Sequence, residues 1–249
     1  MSTDTLTYGA LCTDFYVNQK LELKMDLPPR RESVLDMFGR VRKQIPAMEN
    51  MRRYQGEMAL ESTEVQGQYS WLGLQQTSIR SGWVNPDDLS VAYRLHQLVL
   101  DAAPYYLSIS PLDIEHIELI FGFDLACRGN RDAVVYEALL AGSPLEAFVN
   151  DDADTIIDLQ PAIGISIQEH PDMQAFLEVK TRGRPIDAIP RVEDEPISVY
   201  LTTRHKGPLQ SLDELSTVFA TLAGYLERLA EDRVVPGVLM PLHSVIVSR

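Results

Sequence analysis

Apolar and polar residues alternate along residues 14–27, where odd positions are apolar and most even positions are polar. Phe15 and Leu21 belong to the apolar set, while Asn18 and Lys20 belong to the polar set. A period of two places alternate side chains on opposite faces of a strand. We therefore predict a β-strand over 14–27, with one face toward a core and the other toward water.

The same alternation returns about one hundred residues later, over residues 113–125. Further strands are predicted from short apolar or alternating runs bounded by glycine, proline and acidic residues. These runs cover residues 57–62, 68–76, 77–84, 155–168, 174–182 and 197–205, with a last candidate strand at 238–247. A break at Pro161 is the alternative to one continuous strand over 155–168.

Four helices are predicted from apolar side chains that recur at three and four residues. The first covers the stripe from Val34 to Ile45. The other three begin at Asn85, Asn130 and Ser211, residue types that accept hydrogen bonds from the free amides of a first helical turn. We expect Pro236-Gly237 to end the last of them.

In chain order these elements read strand, helix, several strands, helix, and then the same again. The fold class predicted is α+β, with two tandem β-α-β(3-4)-α repeats that follow an N-terminal lead-in over 1–13. The repeats are placed at 14–110 and 111–249, and form one continuous, curved antiparallel sheet with helices on one face. A chance similarity of element order is the alternative to a duplication.

This element order resembles the saddle of TATA-binding-protein-like folds, whose repeat also runs strand, helix, strands, helix. The resemblance covers most of the chain but rests on no specific motif. It implies a surface that binds nucleic acid through an apolar and basic underside. Here the matching positions include Glu22, Asp26, Glu118 and Asp124, which would repel phosphate, so that activity is not carried over.

Charge and cysteine content narrow the possible partners. The formal net charge is −14, and residues 111–249 account for −12 of it, with 11 basic and 23 acidic side chains. Nucleic acid is therefore not an expected partner. No apolar run is long enough to cross a bilayer, and the first residues lack the features of a signal peptide. Cys12 and Cys127 are isolated, as in reduced cytoplasmic proteins, so a cytoplasmic location is expected.

The common phosphate-binding, dinucleotide-binding, hydrolase and metalloprotease motifs are absent from the sequence, so we assign no catalytic residue, cofactor or metal. Weaker candidates remain. His116 and Glu118 share one strand face, with Asp124 further along it, and could move a proton or contribute to ligand binding. The alternative, which is the more common role of such residues, is a solvated sheet face.

Two groups of basic residues are candidate sites for anions or partners. Arg204 and His205 form a basic spot at a strand end, unless they belong to an exposed turn. Arg40 and Lys43 lie on the first long helix, which could dock on an acidic partner or on a second copy, or could be merely solvated.

The function predicted is that of a non-enzymatic binding or assembly protein that acts through protein–protein interaction, including self-association. The alternative is a small-molecule-binding protein or enzyme that uses the concave sheet face or the cleft between the repeats.

Overall fold

The structure is a computed structural model that describes residues 6–27, 30–149, 153–181 and 195–249. Strands in this part of the chain are β1 (Asp14–Leu23), β2 (Met48–Tyr54), β3 (Glu57–Ser62), β4 (Tyr69–Leu74), β5 (Ser78–Val84), β6 (Ile114–Leu125), β7 (Ala162–Ile167), β8 (His170–Lys180) and β9 (Ile197–His205).

The helices are α1 (Leu6–Gly9), α2 (Arg31–Gln44), α3 (Leu89–Leu107), α4 (Arg131–Leu139), α5 (Glu214–Leu229) and α6 (Met240–Ser248). There are also 3₁₀ turns at Pro111–Asp113 and Pro144–Phe148. A π-helical stretch, Ala230–Leu239, joins α5 directly to α6.

All nine strands of the described residues belong to one open antiparallel sheet, in the order β2-β3-β4-β5-β1-β6-β9-β8-β7. The α+β class and the large antiparallel sheet are thus confirmed. β1 and β6, the two alternating stretches, pair at the centre with Val17 opposite Phe121. The order outward from this pair is β5, β4, β3, β2 on one side and β9, β8, β7 on the other. A duplication stays a prediction.

One face of the sheet, the core face, carries the odd positions of β1, including the fully buried Val17 and Leu21. Helix α3 packs against β5 and β1, and α5 packs against β9 and β6. Their buried apolar residues, such as Leu95 and Leu222, join the same hydrophobic cluster. Tyr8 of α1 is also buried and lies 4.8 Å from the Phe15 ring, measured between centroids.

The other face, the polar face, carries the even positions of β1, from Tyr16 to Glu22. Glycines on this face make room for large rings. A Cβ at Gly122 would lie 2.0 Å from the Tyr16 ring, and one at Gly82 would lie 2.3 Å from the indole nitrogen of Trp71. The aromatic rings therefore lie directly on the backbone of the neighbouring strands, and glycine permits this close approach because it has no Cβ.

Several elements differ from the prediction. β1 ends at Leu23 rather than at Leu27, β2 was not predicted, and the 238–247 segment is helical rather than a strand. Pro236-Gly237 does not end the helix, because the backbone passes through them in the π-helical stretch while Val234 and Val238 stay buried. The strand predicted over 155–168 begins only at Ala162.

Candidate binding surfaces

A row of charged side chains crosses the centre of the polar face. Lys20 of β1 lies opposite Glu118 of β6, which in turn lies opposite Arg204 of β9. Arg204 Nε donates to Glu118 Oε1 at 2.5 Å, and His116 Nε2 lies 3.5 Å from the same oxygen. Three of the residues singled out in the sequence, His116, Glu118 and Arg204, are thus brought together by strand register.

The surroundings of this cluster keep His116 uncharged. Burial lowers the pKa of His116, and the nearby Arg204 and Lys20 lower it further, while Glu118 opposes them. A histidine whose pKa lies below its usual value is neutral at physiological pH and can accept a proton. Glu118 is only 6% exposed, so its charge depends on Arg204 for compensation.

A shallow cavity of about 400 Å³ lies beside the cluster, lined by Glu118, Phe176, Thr202 and Arg204 among others. The Phe176 ring lies over the Arg204 guanidinium, 4.8 Å from carbon Cζ to the ring centroid. Gly164 of β7 provides the space for that ring. A small polar molecule seated here would meet an aromatic ring and a guanidinium, whereas His116 lies behind Glu118 and outside the cavity lining. This is a binding constellation rather than a complete catalytic one.

Asp124 does not join this cluster. It lies six residues beyond Glu118 on β6, which corresponds to roughly 20 Å along a strand. Ser198 Oγ donates to Asp124 Oδ1 at 2.6 Å, and the Tyr16 hydroxyl donates to the same atom at 3.4 Å. Burial raises the pKa of Asp124, and the neighbouring Asp14 adds to that rise.

Asp124 lines a separate cleft of about 770 Å³ near the C-terminal end of β6, away from the His116 cluster. Asp14, Cys127, Arg128 and Arg249 also line this cleft. The cleft holds a thiol and charges of both signs. Burial raises the pKa of the Cys127 thiol, which disfavours the reactive thiolate. This environment therefore does not activate Cys127 as a nucleophile.

His205 lies on the opposite face from Arg204, although the two are neighbours in sequence. Its partners in register are Ile117 and Met173, which are buried on the core face. Burial lowers the pKa of His205, while Asp172 and Glu214 oppose that change. The two residues predicted to form one basic spot are thus separated by the sheet, because successive strand residues alternate in direction.

Among the described residues, no group of three histidine, cysteine or acidic side chains is arranged to hold a metal ion. The helices of that same part of the chain include none with the length and apolar character needed to cross a membrane.

No protein-family model matches this chain, and a search of curated proteins finds no significant sequence similarity.

Sequence reasoning missed a groove between α2 and the edge strand β2, which we call the α2–β2 groove. Its volume is about 620 Å³. Met51 and Leu35 remain 56% and 38% exposed in it. The apolar side chains that line it are Leu27, Val34, Leu35, Met51, Met58, Leu74 and Leu107.

The rim of the α2–β2 groove is basic. Arg31 on α2 and Arg53 on β2 line it and are exposed. Arg40 and Lys43 lie further along α2, exposed and outside the groove lining. Residues 30–53 hold seven basic and three acidic side chains, a balance of +4, which leaves −18 for the rest of the chain. The signal that could have revealed the groove is this local positive charge beside the apolar Met51.

Proposed function

We propose that this protein is a non-enzymatic binding or assembly protein, and that it holds a protein partner in the α2–β2 groove. The observation that carries the proposal is an apolar groove with an arginine rim on a chain of strongly acidic overall charge. Apolar surface left in water at such a site is typical of docking surfaces.

The chemistry of the groove defines the partner segment. Covering the exposed parts of Leu35 and Met51 would contribute roughly 1 kcal/mol each. Arginine presents a planar set of donors that matches carboxylates, so Arg31 and Arg53 favour acidic side chains next to the apolar anchors. The remaining negative charge of the chain repels an acidic partner from other surfaces and directs it to this one.

A direct test compares partners captured from the native cell by three tagged forms of the full chain. These are the wild type, Met51→Glu in the groove, and Val65→Glu as a matched control. Val65 is 63% exposed and lies in the β3–β4 connection, outside the groove lining. Quantitative mass spectrometry should find partners retained by the wild type and the control but lost from M51E. Capture that is insensitive to M51E would contradict the proposal.

A second candidate function is small-molecule binding at the polar face, favoured by the convergence of His116, Glu118 and Arg204 beside the 400 Å³ cavity. A metabolite library screened by native mass spectrometry tests it, with Phe176→Leu in the cavity lining as the comparison. A ligand retained by the wild type and lost from F176L would support this function, and the absence of any such ligand would count against it.

The strand order also supports the proposal that residues 14–110 and 111–249 are tandem units. In each, the first strand is central, the next strand along the chain lies at the sheet edge, and the following strands return inward until the last one pairs with the first. In the described residues, the first unit extends one strand further, to β2. The α2–β2 groove depends on that extra strand, so it is a feature of the first unit. A cytoplasmic location, favoured by the free Cys12 and Cys127, belongs to the same proposal.

A further inference from the structure

The Pro144–Phe148 turn exposes two large apolar side chains. Leu145 is 63% exposed and Phe148 is 91% exposed. They are three residues apart in a 3₁₀ turn, where residues at i and i+3 project in the same direction. The turn therefore presents a pair of adjacent apolar anchors to solvent.

Local hydrogen bonds hold these anchors in place. Ser143 Oγ accepts from the Leu145 amide at 3.3 Å, and Glu146 Oε2 accepts from the Gly142 amide at 2.7 Å. The Val149 amide donates to the Glu146 carbonyl at 3.0 Å and closes the turn. A preformed turn loses less conformational entropy on binding than a flexible segment does.

The charge around the turn is opposite to that of the α2–β2 groove. The described residues on either side of the turn, 142–149 and 153–158, hold three acidic side chains and no basic one, whereas residues 30–53 have a balance of +4. The turn thus combines apolar anchors with carboxylates, which is the combination that the groove favours.

We infer that the α2–β2 groove binds the Pro144–Phe148 turn of a second copy of this chain. This inference rests on the proposed function of the groove and names its occupant. Phe148 is almost fully exposed, and the groove residue Met51 is half exposed, so the two do not cover each other within one molecule. Each copy offers one groove and one turn. A closed dimer forms if each copy binds the turn of the other in its groove, and longer assemblies form if the two contacts involve different copies.

Sedimentation velocity of the full chain over a wide concentration range tests the inference. Phe148→Asp removes an anchor, Met51→Glu disrupts the groove, and Leu112→Asp is the matched control. Leu112 is 82% exposed in the other 3₁₀ turn, Pro111–Asp113. The wild type and L112D should associate, while F148D and M51E should each weaken association by about tenfold or more. Added salt should weaken wild-type association as well.

A mixture of the two deficient variants separates loss of contact from loss of folding. F148D keeps an intact groove and M51E keeps an intact turn, so an equimolar mixture restores one contact per pair. We expect the mixture to sediment faster than either variant alone. A wild type that stays monomeric throughout, or a mixture that behaves as the sum of its parts, would overturn the inference.

Failure of this inference is distinguishable from failure of the proposed function. A monomeric wild type whose captured partners still depend on Met51 leaves the groove function in place with a different occupant. Partner capture that ignores M51E removes the function itself.

Discussion

Glu118 and Arg204 lie directly opposite each other on β6 and β9, and the guanidinium donates to the carboxylate with both its Nε and a terminal nitrogen. The carboxylate is nearly buried, while the Arg204 side chain is 32% exposed. This pair joins the second central strand to its outer neighbour on the polar face.

Loss of Arg204 alone should therefore destabilise the protein more than loss of both partners. Arg204→Met leaves the Glu118 charge without compensation and should lower the free energy of unfolding by about 2 kcal/mol, a partial value because the arginine is partly exposed. The double variant E118Q/R204M should recover part of that loss. Urea unfolding of Glu118→Gln, Arg204→Met and the double variant gives the coupling energy between the two side chains. Equal stability of R204M and the double variant would contradict this account.

The stability of the protein should fall as the pH is lowered, because of the buried His96 on α3. Its Nδ1 lies 2.8 Å from Ser81 Oγ, and burial lowers the pKa of His96 to about 3. The unfolded chain, with a histidine pKa of about 6.5, binds the proton first. This stabilisation is complete above that value and is lost as the pH falls toward the folded pKa, by up to about 1.4 kcal/mol per pH unit.

Urea unfolding at several pH values between about 7 and 5 checks this dependence, with His96→Gln as the comparison. The variant should show a shallower slope, since the remaining dependence then comes from other groups such as His116, whose pKa is also lowered by burial. Parallel slopes for the two proteins would show that His96 is not the source.

Because Tyr16 lies so close to Gly122, we predict that any side chain at position 122 destabilises the protein. Gly122→Ala places a methyl group 2.0 Å from the Tyr16 ring, so we expect a loss of about 1–3 kcal/mol in the free energy of unfolding. The loss should shrink in a Tyr16→Ala background, where the ring is absent. Gly39 of α2, whose Cβ would meet nothing within 4 Å, is the control. There alanine should stabilise by up to about 1 kcal/mol.

The edge strand β7 should govern aggregation. Among the described residues it pairs only with β8, and it contains no charged side chain. Ile163 and Ile165 are 62% and 39% exposed on it. An uncharged, apolar sheet edge is a site for pairing with other chains. Ile163→Lys should slow the growth of light scattering on heating, with little change in the urea midpoint, whereas Val65→Lys should leave aggregation unchanged.

Much of the sheet could be predicted from the sequence because β1 and β6 alternate regularly, and burial of one face enforces that pattern. β2 could not, since its residues Met48–Tyr54 sit at an edge where most side chains are exposed and no alternation is required. The sequence predicts a strand in place of the C-terminal helix because Pro236-Gly237 typically ends a helix and the β-branched residues that follow favour a strand. Burial of Val238, Leu239 and Leu242 outweighs those preferences.

The candidate site was also predictable only where a regular structural constraint fixes the side-chain positions. His116, Glu118 and Arg204 met because strand register fixes which residues face each other. His205 does not join them because it is one position out of phase with Arg204 and faces the other side of the sheet. Asp124 does not join them because it lies too far along β6. The α2–β2 groove depends on the packing of a helix against an unpredicted strand, which hydrophobic periodicity does not reveal, and its only signal in the sequence is the positive charge of residues 30–53 beside Met51.

The pairing of β1 with β6 joins residues about one hundred positions apart at the centre of the sheet. A ribosome adds roughly 5–20 residues per second, so β1 emerges some 5–20 seconds before its central partner. In the first part of that interval neither sheet neighbour of β1 has been made, and after β5 follows, the β1 edge that later meets β6 is still unpaired. The growing chain is therefore most vulnerable to misassembly at what becomes the best protected part of the finished molecule.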